Sequence, residues 1–130
     1  MVNLIVFGQR LERASQRKGT MNCIGTAAFL MDKVSVETNM QTDEGKFQVV
    51  GKVNPVAGIK PTEVIGVGVY DHEIKRYVHM GVATPTGKWV ERQGRGAHLE
   101  TISVEEGIAR IRSKYENGLE TKKVEVRLLK

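Results

Sequence analysis

Apolar residues gather in short runs along this chain, and the polar residues between them divide it into candidate strands and helices. Val2 to Phe7 is an apolar run closed by Gly8, which predicts a short strand buried on both faces. Gln9 to Lys18 lies between Gly8 and Gly19 and spaces Arg10, Arg13 and Arg17 as a helix would. It predicts a short basic helix or a basic loop. Met21 to Leu30 is rich in apolar residues. After a turn at Asp32-Lys33, Val34, Val36 and Thr38 alternate with Ser35 and Glu37, so Lys33 to Met40 suits a half-exposed strand. Thr42-Asp43-Glu44-Gly45 reads as a type I turn with Gly45 in the left-handed region. It leads into a strand from Lys46 to Val53, and the clearest hairpin is expected here.

Asn54 to Pro61 holds two of the three prolines and breaks any central ladder. Glu63 to Tyr70 and Arg76 to Thr84 are β-branched apolar runs around Asp71-His72-Glu73, which predicts a second hairpin. Pro85-Thr86-Gly87-Lys88 turns the chain into Trp89 to Arg92, completing a three-strand meander that Leu99 to Ile102 extends past a Gly-rich break. Ser103-Val104-Glu105-Glu106 is a capping box. Val104, Ile108, Ile111 and Tyr115 then form one apolar stripe, and Asn117-Gly118 supplies a stop. Val124, Val126 and Leu128 alternate with Glu125 and Arg127, a closing strand expected beside the first strand or at an edge. The pattern is α+β: mainly an antiparallel sheet or half-barrel of about seven to eight strands. An amphipathic C-terminal helix over 103–117 packs on it, with a short basic N-terminal helix over 9–18 as an option.

The length, 130 residues, suits a single domain over 1–130, and 40% hydrophobic with 27% charged residues is the balance of a chain that folds. The longest apolar window, Ile24 to Met31, is broken by Gly25 and Thr26, so no membrane span or membrane partner is expected. The apolar N-terminus lacks a basic stretch ahead of it and does not read as a signal peptide. Cys23 is the only cysteine, which rules out an internal disulfide and suits a reducing, cytoplasmic setting. Lys and Arg outnumber Asp and Glu by 20 to 15, a charge of +5 that favours polyanions.

The position of that charge suggests a small basic nucleic-acid-binding module. Lys88-Trp89-Val90-Glu91-Arg92-Gln93-Gly94-Arg95-Gly96 sets the only tryptophan among cations and glycines. Arginines grip phosphates, and an indole stacks on an exposed base. Arg10, Arg13, Arg17 and Lys18 form a second basic segment able to follow a phosphate backbone. DNA or RNA is the expected partner, through Arg10, Arg13, Arg17, Lys18, Lys88, Trp89, Arg92 and Arg95. The bland alternative makes Trp89 a core anchor, the glycines turn formers and the arginines solvated. The stretch from Trp89 into the amphipathic helix resembles the WGR module of DNA-break sensors, but Val90-Glu91 stands where that module has Gly-Arg.

Other motifs carry less. Gly66-Val67-Gly68 lacks the third glycine of a dinucleotide fingerprint, and Thr86-Gly87-Lys88 lacks the flanking residues of a P-loop. His72, His79 and His98 with Asp71 and Cys23 show no metal-ligand spacing. Cys23 as a nucleophile activated by a histidine is set against its apolar surroundings, where a thiol is usually inert. No catalytic residue, metal or cofactor is assigned, and the balance leans away from an enzyme. Two other classes stay open: an assembly subunit that homo-oligomerises through strand edges, and a small-ligand-binding barrel or enzyme using His79, Tyr70 and Tyr77.

Overall fold

The structure is a computed structural model that describes residues 3–16, 21–94 and 96–130. It is α+β, with an open antiparallel sheet of six strands in the order β1-β6-β2-β3-β4-β5. Helices α1 (Leu4–Ser15) and α2 (Cys23–Leu30) precede β1 (Val49–Val53), β2 (Ile65–Asp71), β3 (Arg76–Ala83), β4 (Lys88–Arg92) and β5 (Leu99–Ser103). Then come α3 (Val104–Glu120) and β6 (Val124–Leu129). Within these helices nothing is long and apolar enough to cross a membrane.

The N-terminal third departs most from its pattern. From Leu4 onward the expected first strand is helix α1; Val2 lies outside the described residues. Asn3 decides the matter, because its side chain accepts from the N–H groups of Ile5 and Val6 and caps a helix start. The helix also absorbs much of the expected basic segment, with Phe7 and Ala14 turned inward. Asn22 caps α2 in the same way through Gly25 N–H. Every residue of α2 from Ile24 to Leu30 is buried, so the helix has no polar face from which a period could be read.

Lys33 to Met40 is not a strand, and the hairpin expected at 42–45 does not form. Side chains from the helices take up this segment's backbone instead: Arg10 donates to Val34 O, Asn22 Nδ2 to Met40 O, and Met40 N–H to Asn22 Oδ1. A tight turn closed by Lys46 N–H on Asp43 O is present, with Glu44 and Gly45 both at positive φ. That is the mirror image of a type I turn.

The later elements follow the pattern more closely. The β2–β3 hairpin and the meander into β4 form as expected, and Ser103 caps α3 by accepting from Glu106 N–H. Two details differ. Residues 99–103 fold back as β5, antiparallel to β4; ahead of it Ala97 N–H donates to Gly94 O and Gly96 stands at positive φ. The closing strand β6 sits inside the sheet between β1 and β2, and α3 runs on to Glu120 past Gly118. Of the two expected arrangements, sheet or half-barrel, the open antiparallel sheet is the one that forms, with six strands in place of about seven to eight.

Helices lie on both faces. Phe7, Phe29, Leu30, Met80, Val82, Val90 and Leu129 share one core with α1 and α2. Val67, Val69, Trp89, Ile108, Ile111 and Val126 share the other with α3. Alternation along β4 therefore sends Trp89 and Glu91 toward α3, and Val90 and Arg92 toward α1 and α2.

Candidate active site

Three side chains from three elements meet where the N-terminus of α2 reaches β3. Cys23 is the first residue of α2, directly after the Asn22 cap, and is half-buried. A helix N-terminus favours negative charge, because its first N–H groups have no partner within the helix and the dipole points its positive end there. His79 comes from β3 and is buried. A bulge aims it: Val69 of β2 faces His79 while Tyr70 faces Tyr77, leaving Val78 as the extra residue. Glu91 comes from β4 and is 2% exposed.

The contacts form a line. The Cys23 thiol and the His79 ring are near enough to shift each other's titration. His79 Nε2 lies 2.6 Å from Glu91 Oε2, which leaves Nδ1 outside that pair. Trp89 Nε1 donates to the same carboxylate oxygen at 3.0 Å. Glu91 Oε1 receives Gln93 Nε2 at 2.9 Å and Arg110 Nη1 at 2.8 Å. Trp89 is fully enclosed, packed so tightly between Gly81 and Gly107 that a Cβ at either glycine would collide with its ring. The indole is thus a fixed donor.

This environment separates charge. Burial alone would hold the Cys23 thiol up; the hydrogen bond and charge of His79, with main-chain groups of Met80 and Ile24, outweigh it and bring the thiol below its ordinary value. Burial would lower His79, but its bonds to Cys23 and Glu91 raise it to about 9. Burial would raise Glu91, and the donors His79, Trp89 and Arg110 bring it down to about 2. All three shifts favour the charged forms, a thiolate, an imidazolium and a carboxylate. Beyond His79 and Glu91, the void lined by Gln93, Arg110, Ile111, Lys114 and Tyr115 measures about 20 Å³, too small for a substrate. Among the described residues, no three His, Cys, Asp or Glu side chains are arranged to hold a metal ion.

The residues expected to contact nucleic acid are dispersed. Trp89 is in the core beneath α3. Arg92 is 1% exposed on the opposite face and donates to Thr26 Oγ1, Ala14 O and Ala97 O. It closes the C-terminal turn of α1 onto α2. Arg10 bonds the carbonyls of Phe29 and Val34, pairs with Asp32 and stacks on the Phe29 ring. Arg13 is paired with Glu37. Lys88 is exposed at the start of β4. Arg17, Lys18 and Arg95 lie outside the described residues. The structure thus encloses Trp89 and Arg92 within the fold, on opposite faces of the sheet, and ties Arg10 and Arg13 to carboxylates.

Sequence reasoning set Cys23 and His79 aside and missed Glu91 as their partner, since residues 23, 79 and 91 share no local motif. The one signal present was Asn22-Cys23, a capping residue followed by a thiol at the start of an apolar helix. Comparison with known proteins brought no match: no family model, no curated protein and no solved structure is similar to this chain.

Proposed function

We propose that this protein is a thiol-dependent acyl-transfer enzyme, a hydrolase or transferase of amides, esters or thioesters, with Cys23 as nucleophile, His79 as acid and base, and Glu91 as the group that orients His79. The observation that carries this reading is the placement of the thiol at the α2 N-terminus beside His79, whose ring is bonded in turn to buried Glu91. A nucleophile, its base and a third group holding the base in register make up the set found in serine and cysteine hydrolases on unrelated folds; the Cys-His-Asn set of papain-like proteases is one case.

In the chemistry this arrangement supports, the Cys23 thiolate adds to a carbonyl carbon and a C–S bond forms. His79, as imidazolium, passes its proton to the departing amine, alkoxide or thiolate as the old bond breaks. Water or another acceptor then attacks the thioester, gives a proton to His79, and releases Cys23. Glu91 keeps Nε2 of the ring engaged, which leaves Nδ1 to exchange a proton with the sulfur. In the first α2 turn the Gly25 N–H is taken by Asn22 Oδ1 and the Ile24 N–H serves the sulfur, so the Cys23 N–H is the donor left for developing negative charge on the carbonyl oxygen.

The test uses p-nitrophenyl acetate as a generic acyl donor, with intact-mass detection. Wild type should form an acetyl thioester on Cys23 and turn over, His79→Ala should lose the burst, and Cys23→Ala should show no adduct. No burst from folded wild type, or an equal one from His79→Ala, would reject the assignment.

A further inference from the structure

We propose that Arg110 of α3 is a positioning residue that holds Glu91 as an aligned carboxylate for His79, an inference that rests on reading Cys23, His79 and Glu91 as a triad. Both Glu91 oxygens are doubly occupied: Oε2 by His79 and Trp89, Oε1 by Gln93 and Arg110. A carboxylate held at both oxygens cannot rotate away from the imidazole. The guanidinium is fixed in turn, because Arg110 Nη2 donates to Glu100 Oε2 on β5 at 3.0 Å. Arg110 therefore ties the triad to a helix and to an edge strand that contribute none of its three members. The planar fork suits the task, since one guanidinium can hold two carboxylates in fixed directions.

The charge count supports the same role. Thiolate, imidazolium and carboxylate together carry one net negative charge, in a place where a net charge costs free energy. Arg110 brings a compensating positive charge to Glu91. Glu100 opposes it from the far side of the guanidinium, and both side chains, 39% and 38% exposed, are partly screened by water, whereas Glu91 is buried. The other ionisable groups near this cluster are Lys114, whose ammonium lies over the Tyr115 ring, and Tyr115, which burial pushes up to about 12 and so keeps neutral. Removing the Arg110 charge disfavours both anions, so a proton returns to the thiol more readily.

The experiment measures the rate of iodoacetamide alkylation of Cys23 against pH in wild type, His79→Ala, Arg110→Met and Arg110→Lys, with p-nitrophenyl acetate kinetics alongside. Neutralising Arg110 should move the alkylation midpoint upward, so that the rate at mildly acidic pH falls about tenfold. In the ester assay kcat should fall while KM holds. Arg110→Lys should recover part of both, since it keeps the charge and loses the fork. If Arg110→Met fails to fold, Arg110→Gln, a neutral donor, is read in the same way. A folded, neutral Arg110 variant with the wild-type profile would overturn this inference and leave the triad standing. A wild-type profile that matches His79→Ala would instead reject the triad itself.

Discussion

His79 of β3 and Glu91 of β4 meet at 2.6 Å inside the fold, although the paired-strand register sets Gly81, not His79, opposite Glu91. The diagonal contact depends on the bulge at Val78 and on a glycine at the intervening position, where any side chain would strike Trp89. The sheet irregularity and the buried ion pair are therefore one feature, and it delivers an imidazole to the helix terminus that carries Cys23.

Glu91 makes the stability of the fold sensitive to acid. Its carboxyl falls from an ordinary 4.5 to about 2 through its donors, against the opposing effect of burial. A group lowered on folding contributes stability that is present above the unfolded value and is lost as pH falls through the folded value. His79 is protonated in both states across that range; Glu125, also lowered to about 2, adds its own loss in the same window, so the part that belongs to Glu91 is the difference between wild type and a variant that lacks the carboxylate. Denaturant melts at a series of pH values should show Glu91→Gln less stable at neutral pH, with a shallower decline through this window. Parallel curves for the two proteins would show that Glu91 is not held as a buried carboxylate.

Arg92 acts as a clamp between the sheet and both N-terminal helices. Replacing it with Met keeps most of the stem and leaves Thr26 Oγ1, Ala14 O and Ala97 O without their donor. The expected cost is about 3 kcal/mol in urea unfolding. A change within a few tenths of wild type would mean that Arg92 is solvated and free to serve a partner.

Gly107 gives a test of sign. Alanine is the better helix former, so in an open helical position Gly107→Ala would stabilise by about 1 kcal/mol. Here the added Cβ would lie 2.6 Å from Trp89 Cγ, and the indole is enclosed on its other side by Gly81. The prediction is a loss of about 2 kcal/mol from overpacking. It should come with reduced reactivity of Cys23, because Trp89 can no longer direct its N–H to Glu91.

How much of this was legible in the sequence follows from the range of the interactions involved. The capping box at Ser103 and the turns at residues 71–75 and 84–88 are local, and the structure reproduces them. The apolar runs at 4–7 and 23–30 fit a strand and a buried helix equally well; caps at Asn3 and Asn22 tipped them to helix. The stretch 33–40 alternates like a strand but has no neighbouring strand, and polar side chains from α1 and the α2 cap take its place. The candidate site was the least legible part, because its three members come together only through the bulge, the sheet register and the packing of α2. Its supporting Trp89 looks like surface chemistry until the fold encloses it, and the half-exposed Arg110 shows its role only once β4 and β5 bring Glu91 and Glu100 to it.

The most direct test of the account is a titration of thiolate ultraviolet absorbance, read as the difference from Cys23→Ala so that the tyrosines cancel and the single cysteine is isolated. Wild type should form thiolate below the ordinary thiol value of 9.0, and His79→Ala should shift that transition upward. A wild-type transition at or above 9.0 that is unchanged in His79→Ala would contradict the pairing of Cys23 with His79, and the proposed enzyme with it.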